Sequence, residues 1–301
     1  MAKNKNVGDV YTVILIGGLG KRLRPLSTDV RPKAFLSVTR DRKTMFKATL
    51  DRAKKLVKKD RIIVVGNKKH ERLIKIDYPG IPKENLILEP VSRNTAPAIT
   101  LAAVVLKKRS RDPVMVVLPS DQYITDEEKY LDSIRRGIFF LAVDSGGIVV
   151  VGIRPTSPST GFGYIKLKSD KPYMDAKGVY LAERFVEKPD IAAAKKYLSS
   201  GRYLWNSGLF IFKADRLLEE VKRCAPTIYR GLAGKGDVEN VYMSMPDVSI
   251  DYAVMERAKR VFCVNGNFRW RDMGSFESLK RILKRESRRF IMKDGKVVKV
   301  L

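Results

Sequence analysis

The chain has 301 residues, 44% of them hydrophobic, and a formal charge of +27, enough for one large core under a surface that attracts anions, whether phosphorylated metabolites or nucleic acid. One histidine, His70, and two cysteines, Cys224 and Cys263, at no metal-ligand spacing argue against zinc chemistry and a disulfide framework. The opening residues lack the apolar stretch of a signal peptide, and the longest apolar runs, such as Ile148–Ile153, are too short to cross a bilayer, so a soluble, cytoplasmic protein without a membrane partner is expected.

In chain order, β-branched apolar runs at Thr12–Ile16, Arg61–Val65, Asn85–Leu88 and Val114–Leu118 read as buried parallel strands. Helical patterns at Thr44–Lys58, Ala96–Arg109 and Glu127–Val143 supply the long crossovers that such strands need. Further strands are expected near Gly147–Arg154, Gly161–Leu167, Tyr180–Glu187 and Gly208–Lys213. Helices follow at Ile191–Leu198, Ala214–Cys224, Asp251–Arg260 and Phe276–Arg285. Phe290–Leu301 reads as two short strands turned at Asp294-Gly295. The fold class expected is α/β: a Rossmann-like, mixed but mostly parallel sheet flanked by helices, with a short C-terminal β hairpin. His70, in a charged stretch, is expected on an exposed helix face, Trp205 in packing, and both cysteines in the core.

Directly after the first predicted strand stands Gly17-Gly18-Leu19-Gly20-Lys21-Arg22-Leu23-Arg24-Pro25. Glycines there let backbone N–H groups approach a phosphate or a base edge, and Arg22 supplies a fixed cation for a triphosphate. No Ser or Thr follows the Gly-Lys pair, as a Walker A loop requires, and no third glycine completes a dinucleotide fingerprint. Arg31-Pro32-Lys33-Ala34-Phe35-Leu36 follows at a distance that can return Lys33 to the same phosphate site.

Glycine-rich loop, Arg and Pro-Lys in this order resemble the signature of the sugar-phosphate nucleotidyltransferases. The resemblance extends over nearly the whole chain. Glu89-Pro90 with Arg93-Asn94-Thr95-Ala96-Pro97-Ala98-Ile99 is similar to a segment of the mannose-1-phosphate guanylyltransferase branch. Leu118-Pro119-Ser120-Asp121 resembles the family's metal-binding strand end. Thr160–Ile165, Phe185-Val186-Glu187-Lys188-Pro189, Trp205-Asn206-Ser207-Gly208 and Trp270-Arg271-Asp272-Met273-Gly274 complete the series in family order.

The resemblance implies a nucleotidyltransferase domain over 1–287 and a short extension, 288–301, as a truncated or vestigial β-helix. It implies transfer of GMP from GTP to mannose 1-phosphate, with Arg22, Lys33 and Lys188 as catalytic residues. Arg22 and Lys33 hold the triphosphate and stabilise the leaving pyrophosphate, and Lys188 holds the attacking sugar phosphate. Leu15, Gly17, Gly18, Gly20, Glu89, Asn94, Pro119 and Ser120 are expected at the nucleotide, and Gly163, Glu187, Lys188 and Asn206 at the sugar phosphate. Asp121 and Asp272 are expected to share Mg²⁺, whose preference for oxygen suits carboxylates and phosphate. No general base is needed, because the nucleophile is ionised at neutral pH.

Gln122, Ala34 and Arg24 depart from residues frequent in this branch; all three flank the expected phosphate and metal ligands without deleting any. Two alternatives stay open: a nucleotidyltransferase using glucose 1-phosphate with UTP or dTTP, and a non-catalytic regulatory homologue that binds sugar nucleotides. No nucleic-acid partner is expected, since no recognised binding motif is present, and a homodimer is one assembly open to the chain.

Overall fold

The computed structural model describes residues 8–18, 20–234, 236–294 and 296–301. Leu19 of the glycine-rich loop, Gly295 of the expected hairpin turn and all but the last three residues of the opening MAKNKNVGDV therefore lie outside the described residues.

The first half alternates strand and helix. β1 (Asp9–Ile16) is followed by α1 (Met45–Ala53), β2 (Ile62–Asn67), α2 (Glu71–Asp77), β3 (Leu86–Glu89), α3 (Thr95–Lys107) and β4 (Pro113–Pro119). After β5 (Gln122–Ile124) and α4 (Glu127–Val143) come β6 (Ile148–Ile153), β7 (Tyr164–Leu167), β8 (Val179–Val186), α5 (Ile191–Ser200) and β9 (Tyr203–Lys213). The chain continues through α6 (Ala214–Cys224), α7 (Pro226–Ala233), α8 (Val238–Met243), a π-helical turn at Asp251–Met255, β10 (Val261–Gly266), β11 (Trp270–Asp272), α9 (Phe276–Arg285), β12 (Phe290–Lys293) and β13 (Lys296–Val300).

The central sheet has the order β3-β2-β1-β4-β9-β6-β10-β8-β7. β8 and β9 run against the other strands, so the sheet is mixed and mostly parallel. Alternate side chains along a strand point to opposite faces, and both faces are covered. Val13, Leu15, Ile63 and Val65 pack on the side of α3 and α6, whereas Ile14, Ile16, Ile62 and Val64 pack on the side of α1 and α4. A third cluster joins Leu23, Leu36 and Met273 to Leu279, Ile282 and Leu283 of α9 and to Val297 of the hairpin.

Several boundaries differ from expectation for local reasons. The helix expected over Thr44–Lys58 starts with Thr44 as its cap, whose Oγ1 accepts from Lys47 N at 2.9 Å, but ends at Ala53. There Lys55 and Leu56 donate to the carbonyls three residues back, a tightened last turn rather than further α-helix. The helix expected over Asp251–Arg260 is only the π-helical turn, and the strand expected from Gly208 begins at Tyr203. The segment Gly161–Phe162 precedes β7 rather than belonging to it. His70 is not on an exposed face: it is 5% exposed, its Nε2 lies 3.0 Å from the Asp29 carbonyl, and its ring faces Phe35. Cys224, Cys263 and Trp205 are buried, as expected.

Candidate functional site

The carboxyl ends of parallel strands form the natural crevice of such a sheet. Here a cleft of about 560 Å³ opens over the ends of β1–β4, bordered by Leu15, Val65, Glu89 and Pro119. The loop after β1 lies along it. Gly18 and Gly20 have φ of 77° and 64°, values at which a side chain is strained. A Cβ at Gly18 would meet nothing within 4 Å, so that stretch of backbone is open to the cleft. At Gly20 it would come 2.9 Å from Lys33 Cβ, which shows how closely the two signature segments pack. Ser27 Oγ donates to the Gly20 carbonyl at 2.6 Å and closes the loop from behind.

That packing puts Lys33, 8% exposed, against two acidic residues from elsewhere in the chain. Its Nζ lies 2.8 Å from Asp121 Oδ2 and 3.4 Å from Asp272 Oδ1. Burial alone would lower the ammonium's pKa, but the charges and hydrogen bonds of Asp121 and Asp272 raise it. The Asp272 carboxyl is pushed up, first by burial and then by the charge of Asp121, against the opposing pull of Lys33. Asp121 follows the end of β4 and Asp272 ends β11, and the two segments are brought together by the pairing of β5 with β11. Arg22 borders the cleft and reaches the same corner: a Cβ on Gly274 would come 2.3 Å from Asp272 Oδ2 and 3.2 Å from an Arg22 guanidinium nitrogen.

The donor set suits a hard cation. It offers two carboxylates and no histidine or cysteine, and among the described residues no group of three or more such ligands exists. Phosphate and water oxygens would complete the shell, as they commonly do for Mg²⁺.

One end of the cleft is built by the β3–α3 connection. Asn94 has φ 65° and ψ −169°, a strained backbone for an asparagine, and its side chain caps α3 by accepting from Thr95 N at 3.0 Å. Thr95 Oγ1 accepts from Ile250 N at 2.8 Å, binding the start of α3 to the segment before the π-helical turn. Glu89 is 5% exposed, and burial pushes its carboxyl up to about 7 although a hydrogen bond from Tyr242 pulls it down.

At the other end Lys188 borders the cleft with φ 44°, again strained, and its ammonium is ion-paired with Glu187 and lies 5.9 Å above the Tyr252 ring. Gly163, Glu187 and Asn206 meet beside it. Asn206 N donates to the Gly163 carbonyl at 2.8 Å, and a Cβ on Gly163 would fall 2.5 Å from Glu187 Oε2. Asn206 Nδ2 donates to Asp251 Oδ1 at 2.8 Å. The Asp251 carboxyl is pushed up to about 6 by burial and by the charge of Glu187. A second cleft, about 660 Å³, lies where Phe162, Trp205 and Trp270 pack together, with Asp272 on its wall.

Some of the expected residues border the main cleft and others do not. Leu15, Gly17, Gly18, Arg22, Glu89, Asn94, Pro119, Asp121 and Lys188 border the main cleft. Lys33, Gly20, Ser120, Gly163, Glu187, Asn206 and Asp272 do not border it, and the Ser120 hydroxyl is committed to the Leu15 carbonyl at 2.7 Å, fastening β4 to β1. Gln122, one of the departures, donates to the Ser207 carbonyl, which accounts for its burial. Sequence reasoning missed Asp251, on the cleft, and Tyr242, behind it. The only cue to Asp251 was a lone acid in Ser-Ile-Asp-Tyr, a segment read as ordinary helix.

Comparison with known proteins accords with this arrangement. Residues 11–288 match the family described as Nucleotidyl transferase. The chain is 39% identical over 286 residues to the xanthan biosynthesis protein XanB of Xanthomonas campestris pv. campestris strain B100, covering 91% of this chain and 59% of that one. It is 37% identical over 294 residues to a mannose-1-phosphate guanylyltransferase of Escherichia coli K12, covering 93% and 60%. The chain therefore spans about three-fifths of the length of these curated relatives. A solved structure described as a mannose-1-phosphate geranyltransferase from Thermus thermophilus is similar at TM-score 0.81 and 36% identity, covering 91% of this chain and 79% of that one.

Proposed function

The chain belongs to the nucleotidyl transferase family, and on that premise we propose that it transfers GMP from GTP to mannose 1-phosphate, giving GDP-mannose and pyrophosphate. The observation that carries this reading is the meeting of Lys33, Arg22, Asp121 and Asp272 beside the open Gly17-Gly18 backbone. The name of the Escherichia coli relative supports the choice of guanylyl transfer to a mannose phosphate.

A phosphate oxygen of the sugar phosphate attacks the α-phosphorus of the nucleotide. The new oxygen–phosphorus bond forms as the bond to the β-bridging oxygen breaks, and pyrophosphate leaves with that electron pair. Both partners are anions, so holding them in line and offsetting their charge supplies most of the acceleration. Arg22 and the loop amides take the triphosphate, with Lys33 adding its charge from behind. Lys188 holds the sugar phosphate, and Glu187 and Asn206, whose side chains are engaged by Lys188, Asp251 and Gly208, are the groups proposed for the sugar hydroxyls. A Mg²⁺ held by Asp121 and Asp272 would neutralise charge on the phosphate oxygens.

The test is pyrophosphate release with GTP and mannose 1-phosphate. Binding of sugar nucleotides with no release from any substrate pair would make the protein a regulatory homologue instead.

A further inference from the structure

Glu89 ends β3 at the border of the cleft, and one of its two carboxylate oxygens is already engaged. Tyr242 Oη, from α8 and remote in sequence, donates to Glu89 Oε1 at 2.5 Å. Tyr242 is fully buried and does not border the cleft. Oε2 makes no hydrogen bond among the described residues. The same short helix is latched a second time, because the Arg93 guanidinium donates to the Met243 carbonyl. α8 is thereby fastened at two successive residues to the two ends of the segment between β3 and α3.

A buried carboxylate held by one neutral donor adds little to stability, since an apolar pair would fill the space at lower cost. Its value lies in what the free oxygen accepts. Guanine presents N1–H and the 2-amino group side by side, two donors that match a carboxylate. Adenine places an acceptor at N1, and the pyrimidine edge flanks its single N–H with carbonyls. A carboxylate turned toward the cleft therefore favours guanine and leaves adenine with a buried mismatch.

Building on the guanylyl reading above, we infer that Tyr242 is a positioning residue for base selection: its hydroxyl fixes Glu89 in the orientation that accepts from the guanine edge. Burial favours the protonated carboxyl, and the phenol donor opposes this, which keeps an acceptor available.

The experiment compares GTP, inosine triphosphate and ATP in the wild type, Tyr242→Phe and Glu89→Gln, each with mannose 1-phosphate. Inosine triphosphate lacks only the 2-amino group. The wild type should prefer GTP over it by about tenfold, the worth of one hydrogen bond. In Tyr242→Phe the KM for GTP should rise and that preference should shrink to about twofold, while the KM for mannose 1-phosphate stays within about twofold. A purely structural tyrosine would lower the melting temperature and both nucleotides' constants together, leaving the ratio intact. An unchanged ratio in folded Tyr242→Phe overturns the inference while leaving guanylyl transfer standing. Failure of the wild type to use GTP would instead defeat the parent reading. If Tyr242→Phe does not fold, Tyr242→Met, apolar and adaptable, takes its place with calorimetric binding of GDP and IDP as the readout: a shrunken GDP preference supports the assignment, and an unchanged one overturns it.

Discussion

The ammonium of Lys33 lies 2.8 Å from the carboxylate of Asp121, so a lysine expected at the triphosphate sits against the carboxylate expected to bind metal. Asp272 completes the contact at 3.4 Å. In this arrangement Lys33 offsets the mutual repulsion of the two acids.

Lys33→Met should therefore destabilise the protein, by up to about 3 kcal/mol, because two largely buried carboxylates lose their shared cation. Mg²⁺ should restore part of the loss. Thermal melts of wild type and variant, with and without Mg²⁺, measure both effects. The melting temperature of the variant should rise more with metal than that of the wild type. Equal rises would mean that the lysine and a metal do not share this position.

The motifs made most of this site legible, and the reason is local. The glycine loop, the Pro-Lys segment and the Glu-Lys-Pro segment are each short runs whose backbone makes the site. Strands such as Ile62–Asn67, buried on both faces, were legible for the same reason. Tyr242 carried no such signal, since its contact with Glu89 exists only through the packing of α8. Nor did sequence show that Lys33 would be sandwiched, because the pairing of β5 with β11 sets where Asp272 arrives. His70 was misread because charged neighbours suggested solvent, whereas the Asp29 carbonyl and Phe35 enclose it.

Asp121→Asn and Asp272→Asn should each cut kcat about a hundredfold or more at saturating substrates, the order of magnitude expected for losing a metal ligand. Steady-state assays across a Mg²⁺ titration measure this. Near-normal turnover by both folded variants at limiting Mg²⁺ would remove the carboxylate pair from the metal role.

Arg22 and Lys188 border the same cleft from different segments, so their losses should separate. Arg22→Ala should raise the KM for GTP by about tenfold or more, and Lys188→Ala should do so for mannose 1-phosphate. Varying each substrate separately checks the division. A Lys188 defect confined to the GTP constant would reverse the roles assigned here.

Burial pushes the Glu89 carboxyl up to about 7, above its usual 4.5. A raised carboxyl pKa means that its contribution to stability is greatest below about pH 4.5 and is lost as pH rises through about 7. Guanine binding has the opposite sign, since it needs the ionised acceptor. The KM for GTP should fall between about pH 6 and pH 8, and Glu89→Gln should flatten that limb of the profile. A limb that survives the substitution belongs to another group.

Guanylyl transfer to mannose 1-phosphate is tested most directly by kcat/KM for GTP, ATP, UTP and dTTP, each with mannose 1-phosphate and with glucose 1-phosphate, followed by pyrophosphate release. The roles proposed for Glu89 at the base and for Lys188, Glu187 and Asn206 at the sugar phosphate predict that GTP with mannose 1-phosphate is the best pair. Discrimination should be stronger between bases than between sugars that differ at one hydroxyl. A clear preference for UTP or dTTP would contradict the guanylyl assignment, and no pyrophosphate from any pair would contradict the reaction itself.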